Sequence, residues 1–147
     1  MKTRPNLLFR YLTYSVLILM IGCGEEIEPT YVITPDLTIV PGEESQQALI
    51  GQEIVYDILL TGENAKFTSL TVILSYGDST KEYKLVDNEM DDMIETPYSE
   101  KFVFQPTQEM VGKPVTLQFK YMSALTTNSG GQAISTGGKT INIIVEE

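Results

Sequence analysis

The sequence predicts an all-β fold, a single antiparallel β-sandwich of about seven strands that follows an N-terminal signal peptide. Apolar residues recur at every second position in six segments from Glu53 onward, and turn-forming residues separate these segments. No segment shows a convincing helical period. Residues 23–147 are also enough for one domain with its own core. We therefore assign residues 1–22 to a signal peptide, 23–45 to a tether and 46–147 to the sandwich.

Residues 1–22 have the pattern of a secretory signal. Lys2, Arg4 and Arg10 form a basic start with no acidic residue, and an uncharged segment follows at residues 11–22. This combination is typical of export signals. The uncharged segment has 12 residues, fewer than the about 20 that a transmembrane helix needs. The sequence thus favours a cleaved leader over a permanent membrane span.

The segment Met20-Ile21-Gly22-Cys23 resembles the lipobox of bacterial lipoproteins, and Cys23 is the only cysteine of the chain. In that family the thiol receives a diacylglyceryl group, signal peptidase II cleaves before the cysteine, and the new amine is acylated. Gly22 and Cys23 match the pattern, whereas Met20 stands where leucine is usual. The resemblance implies cleavage between Gly22 and Cys23, and lipidation of Cys23 that anchors the protein in a membrane. The alternative is an ordinary signal peptide with Cys23 as a chance thiol.

The tether at residues 23–45 is polar and acidic and contains three prolines. Such a composition is typical of an extended linker that holds a domain away from the bilayer. The acidic stretch Gly24-Glu25-Glu26-Ile27-Glu28 resembles the export signal of Bacteroidetes-type surface lipoproteins, which implies exposure at the cell surface. Two β-prone segments, residues 31–34 and 37–40, predict a split first edge strand, where Pro35 is tolerated.

Each later strand is predicted from residues that alternate between apolar and polar. A period of two indicates a strand with one buried and one solvated face. The alternation is cleanest at residues 115–121, where apolar residues alternate with Thr116, Gln118 and Lys120. The six predicted strands contain residues 54–60, 70–76, 81–86, 102–104, 115–121 and 141–145.

Four of these stretches together resemble bacterial Ig-like domains. They lie at residues 51–56, 70–72, 112–117 and 139–145, and the resemblance covers about two thirds of the chain, although the disulfide and core tryptophan of antibody domains are missing. The resemblance implies an Ig-like β-sandwich. Domains of this group usually serve as spacers, adhesion modules or glycan-binding accessories, so the likeness narrows the fold more than the function.

Charge and missing residue types exclude several functions. Removal of residues 1–22 leaves seven lysines, no arginine and twenty acidic residues, which takes the net charge from −10 to −13. This acidity argues against nucleic acid as a partner, because phosphates need a basic surface. The chain has no histidine, so Ser–His pairs and imidazole metal sites are excluded. We therefore predict no catalytic residue and no enzyme; a carboxylate-pair hydrolase is the open alternative.

The acidic segment at residues 87–95 is the first candidate site. Calcium is held by several carboxylate oxygens on one loop, so Asp87, Glu89, Asp91 and Asp92 are candidate calcium ligands. The EF-hand pattern fails, because Asp92 stands where that loop needs glycine. The alternative is a solvated acidic loop that binds no cofactor.

The Gly-, Ser- and Thr-rich stretch at residues 126–138 is the second candidate site. It connects the last two predicted strands, and binding loops cluster at one end of Ig-like sandwiches. The alternative is a plain mobile hairpin with a short paired segment at residues 133–135. The candidate binding residues are Thr127, Asn128, Ser129 and Gln132.

Together these observations predict a non-catalytic binding or structural module that is lipid-anchored in the outer membrane of a cell envelope. Its partners are the membrane, through the acyl chains, and an unidentified protein or glycan. Two alternatives stay open. One is an accessory subunit of a surface glycan-capture or adhesion assembly. The other is a small envelope inhibitor that acts through the 126–138 loop.

Overall fold

Ten β-strands and two short 3-10 helices occupy the part of the chain that the computed structural model describes, residues 33–126 and 132–147. The 3-10 helices are Met90–Asp92 and Gln108–Met110. No helix in these described ranges is long and apolar enough to cross a membrane. The strands are β1 (Asp36–Val40), β2 (Ser45–Leu49), β3 (Ile54–Thr61), β4 (Lys66–Phe67), β5 (Ser69–Tyr76), β6 (Ser79–Asp87), β7 (Ile94–Glu95), β8 (Tyr98–Phe104), β9 (Val115–Thr126) and β10 (Gln132–Glu146).

The strands form two main sheets. The small sheet has the order β1-β3-β8, and the large sheet has the order β2-β10-β9-β5-β6. Strands β4 and β7 pair separately as a two-stranded sheet. The pairs are antiparallel, except that β2 runs parallel to β10. The predicted all-β fold is therefore confirmed.

The core lies between the two main sheets. The Phe119 ring of the large sheet contacts Tyr56 and Phe102 of the small sheet, with ring centroids 5.5 and 6.2 Å apart. Tilted and edge-to-face contacts of this kind add about 0.5–1.5 kcal/mol beyond the area that they bury. The Tyr83 ring of edge strand β6 also reaches Phe102, at 5.2 Å. The sheets are thus the two layers of a sandwich.

All six strands predicted from the alternating pattern are present. In β5, for example, Leu70, Val72, Leu74 and Tyr76 are buried while the residues between them are half-buried. Of the predicted split edge strand, the segment at residues 37–40 is part of β1, which pairs with β3. In the segment at residues 31–34 the prediction is wrong for Ile33 and Thr34, which are described and belong to no strand. The period of two is a reliable guide for the strands that have one face in the core, whereas in the edge strand β6 only Val86 is buried and Tyr83 stays 38% exposed.

The structure also contains strands that the pattern does not indicate. Strand β2 has the sequence Ser-Gln-Gln-Ala-Leu, in which only Ala48 is fully buried, so no apolar alternation marks it. Strands β4 and β7 have two residues each, too few to show a period. Strand β10 begins at Gln132, well before residue 141, where the predicted strand begins. The pattern did not indicate the first half of β10 because that half contains polar residues and glycines. These additions raise the strand number from about seven to the ten of the described part.

Several predictions concern residues outside the described ranges. The signal peptide, the cleavage site at Gly22 and Cys23, and residues 23–32 of the tether lie outside the described part. The candidate binding residues Thr127, Asn128 and Ser129 lie in residues 127–131. These stay predictions.

Candidate functional site

The outward face of the large sheet forms an open groove of about 540 Å³, named here the large-sheet groove. Strands β5, β6, β9 and β10 all contribute to it. The alternation that sends apolar residues inward sends hydroxyl, amide and charged side chains to this side, and Ile73 and Met122 add apolar surface among them. The residues that define its chemistry are Thr71, Ile73, Glu82, Gln118, Lys120, Gly138 and Thr140.

Strand register brings these residues into two rows across the sheet. In the first row Thr71 of β5 lies opposite Lys120 of β9, which lies opposite Gly138 of β10. The Cβ atoms of directly opposite residues are about 4.5–5.5 Å apart, so each row presents a continuous line of groups to one ligand. The second row contains Glu82, Ile73, Gln118 and Thr140.

Two adjacent glycines shape the β10 side of the groove. A Cβ on Gly138 would overlap the carbonyl oxygen of Phe119, so strands β9 and β10 approach closely here. On the inward side, a Cβ on Gly137 would overlap the ring of Tyr121. That ring is held in place because its hydroxyl donates a hydrogen bond to the carbonyl oxygen of Pro35, at 2.6 Å. The glycines leave backbone, rather than side chains, at this part of the groove.

The groove offers both donors and acceptors of hydrogen bonds. The hydroxyls of Thr71 and Thr140 and the amide of Gln118 can do both, Lys120 donates, and the carboxylate of Glu82 accepts. The positive charge of Lys120 and the negative charge of Glu82 balance each other. This arrangement suits an uncharged ligand that carries several hydroxyl or amide groups.

The acidic candidates are placed on and after the end of β6. Asp87 ends that strand and forms an ion pair with Lys84, Nζ to Oδ2 2.7 Å. This hydrogen bond raises the pKa of the Lys84 ammonium. Asp91 and Asp92 lie in the 3-10 helix that follows Glu89, and both belong to its first turn. Within the described residues, no group of three or more carboxylate, histidine or cysteine side chains comes together to hold a metal ion.

The second candidate site belongs to the hairpin between β9 and β10. Thr126 pairs with Gln132, and residues 133–135 pair with residues 123–125. The short paired segment foreseen in the hairpin alternative is therefore part of a long two-stranded ladder. Gln132 lies at the start of β10, whereas residues 127–131 lie outside the described part.

The outward face of the small sheet is a feature that the sequence analysis missed. Val40, Val55, Leu59 and Val103 are 56%, 38%, 39% and 52% exposed there. Beside them lies an ion pair on neighbouring strands; Asp57 accepts from Lys101 over 3.0 Å. A shallow hollow of about 530 Å³ lies over Asp57 and Leu59. The signal was present in the sequence, because Val55, Leu59 and Val103 occupy positions where the alternation calls for polar residues.

Comparison with known protein families, with curated proteins and with solved structures finds no match to this chain. Its function is therefore argued from its own residues.

Proposed function

We propose that this protein is a lipid-anchored, non-catalytic binding or structural module of the outer membrane. The observation that carries the proposal is the segment that ends in Gly22 and Cys23, because a basic start, a short apolar run and a lone cysteine agree with one another. The all-β sandwich beyond the tether supports it as the cargo. Acyl chains on Cys23 contribute about 0.8 kcal/mol for each buried methylene, which makes the attachment stable.

The anchoring is tested by labelling cells that express the full chain, with a C-terminal tag, with an alkyne analogue of palmitate. We expect label on the wild-type chain and none on Cys23→Ser, because the thiol is the acylated group. An inhibitor of signal peptidase II is expected to leave a larger precursor. The matched control Ser15→Ala, within the leader, keeps the label. A wild-type chain without label would refute the anchoring.

The position of the domain is tested with protease added to intact cells. Rapid loss of the C-terminal tag, with a periplasmic control protein spared, would support exposure at the cell surface. Protection until the outer membrane is opened would refute surface exposure and place the domain on the periplasmic side. The acidic stretch at residues 24–28 is the part of the proposal that this experiment addresses.

A second candidate function is capture of a neutral glycan, and the large-sheet groove favours it. Its paired rows of hydroxyl, amide and charge-balanced groups suit a ligand rich in hydroxyls. Affinity electrophoresis of the purified chain through gels that contain neutral polysaccharides tests this. We expect retardation that is lost in Gln118→Ala and kept in the control Gln47→Ala, which changes an exposed glutamine of β2. Migration unaffected by every neutral polysaccharide tested would refute glycan capture.

A further inference from the structure

We propose that the end of the β9–β10 hairpin contacts the surface of the bilayer that holds the protein, and that it does so on zwitterionic lipid. The hairpin arm is defined here as the four residue pairs by which this hairpin extends beyond the neighbouring strand β5, residues 123–126 with 132–135. The inference rests on the proposed anchoring at Cys23, because the anchor determines which end of the sandwich is near the membrane.

The first step is the direction of the arm. In β9 the Phe119 ring contacts Tyr56 of β3, and two residues further along β9 the hydroxyl of Tyr121 donates a hydrogen bond to the carbonyl oxygen of Pro35. Pro35 immediately precedes β1, whose first residue pairs with the last residue of β3. Strand β9 therefore runs toward the end of the sandwich at which β1 begins. The arm extends beyond Pro35 at the end where the described chain enters the sandwich.

The second step is the reach of the arm. Thr126 lies five residues beyond Tyr121 along β9, so the arm extends about 16 Å past the point at which the chain enters the sandwich. The described chain begins at Ile33, ten residues after Cys23. Ten residues span at most about 35 Å. An anchor at Cys23 therefore keeps this end of the sandwich near the bilayer, and the arm is long enough to cover about half of that distance.

The third step is charge. Residues 121–138 form the longest segment of the sequence without a charged residue, although the chain as a whole has a net charge of −10. Acidic residues lie at the same end of the sandwich but outside the arm: Glu63 follows β3, and Glu89, Asp91 and Asp92 follow the edge strand β6. These carboxylates are repelled by anionic lipid. The uncharged arm approaches a zwitterionic surface without the cost of removing water from a charge.

The fourth step is exposed apolar surface. Ile134, on the outward face of the arm, is 56% exposed, and Ile33, near the entry of the chain, is 53% exposed. Exposure alone does not distinguish Ile134, because Leu49 and Ile144 are also 53% exposed. Its position does, because the arm lies at the end that the anchor brings to the membrane. The acyl chains supply the attachment, and the contact of the arm orients the attached sandwich.

The test uses the full, acylated chain in phosphatidylcholine vesicles that contain some lipid with a nitroxide quencher on its headgroup. Ile134→Cys and Ile144→Cys are each labelled with a fluorophore, since acylation caps Cys23. The two positions share a strand, a face and a degree of exposure. We expect the label at 134 to lose about half of its fluorescence or more, and the label at 144, about 33 Å along the strand, to lose none.

A second measurement tests the role of Ile134 itself, with the label on Thr136→Cys, an exposed position on the same face. Adding Ile134→Asp is expected to abolish the quenching at 136, because a carboxylate then enters the contact. Adding the matched control Ile144→Asp, which changes an equally exposed isoleucine, is expected to leave the quenching unchanged.

Three results would overturn the proposal. They are equal quenching at positions 134 and 144, no quenching at position 134, and stronger quenching at 134 on anionic phosphatidylglycerol vesicles than on phosphatidylcholine. The parent chain separates this inference from the anchoring, because a parent that takes up the fluorophore has a free thiol at Cys23, which refutes lipidation. A Cys23→Ser chain with an N-terminal histidine tag in place of residues 1–22 is then held on nickel-chelating lipid, and the same comparison decides the contact of the hairpin arm alone.

Discussion

Removal of two buried hydroxyls, one at a time, is predicted to change the free energy of unfolding of this sandwich in opposite directions. Ser123 and Thr68 are each 1% exposed. The Oγ of Ser123 has no hydrogen-bond partner among the described residues, whereas the Oγ1 of Thr68 donates to the carbonyl oxygen of Met122 at 3.2 Å. An unpaired buried hydroxyl costs about 1–3 kcal/mol, and a paired one contributes about 0.5–1.5 kcal/mol. The two hydroxyls are therefore equally buried but differ in whether they form a hydrogen bond.

The expected magnitudes follow from these contacts. Ser123→Ala removes an unsatisfied polar atom and leaves only a small void, so we expect the free energy of unfolding to rise by about 1 kcal/mol. Thr68→Val keeps the shape and loses one hydrogen bond. The Met122 carbonyl still accepts from the Thr68 backbone N–H at 2.8 Å, so the loss is limited to about 0.5–1 kcal/mol.

The assay is urea denaturation followed by circular dichroism and tyrosine fluorescence, since the chain has no tryptophan. For a domain of this size, 1 kcal/mol corresponds to a shift of about 3–4 °C in the midpoint of thermal unfolding. A Ser123→Ala chain that is less stable by 1 kcal/mol or more would refute the reasoning. It would mean that the hydroxyl is paired with a buried water.

Three further predictions concern stability. Gly137→Ala is expected to lower the free energy of unfolding by about 1–3 kcal/mol, because the new Cβ overlaps the Tyr121 ring, which its hydrogen bond to Pro35 holds in place. Thermal unfolding, with Thr136→Ala as the control, measures this loss, and an unchanged midpoint would contradict the close packing. Burial raises the pKa of Tyr56 to about 12 from 10.0, so the unfolded state releases its proton first and stability is expected to fall between pH 10 and 12, by about 1.4 kcal/mol per pH unit from this group. In urea titrations across that range, Tyr56→Phe is expected to show a shallower fall, and equal slopes would refute the assignment. Ile141→Val, at a fully buried position of β10, is expected to cost about 0.5–1.5 kcal/mol, and no loss in urea denaturation would contradict tight packing there.

The fold could be predicted from the sequence where a strand has one face in the core. Apolar residues at every second position are a local signal, and β3, β5, β9 and the second half of β10 all show it. The sequence pattern did not predict strand β2, because its partner β10 lies far away along the chain. Its Gln46 lies at a half-buried position, where Oε1 accepts a hydrogen bond from the Tyr56 hydroxyl at 2.8 Å. A glutamine at this position does not contribute to a pattern of alternating apolar residues.

The candidate sites were harder to predict, because register rather than sequence distance assembles them. Thr71, Lys120 and Gly138 form one row of the large-sheet groove although they lie far apart along the chain. The acidic segment was the more visible cluster in the sequence, yet the structure does not gather its carboxylates into a site. Asp87 is paired with Lys84, and Asp91 and Asp92 are neighbours on one short helix. In a β-sheet protein, carboxylates that are close together in the sequence are thus not necessarily close together in space.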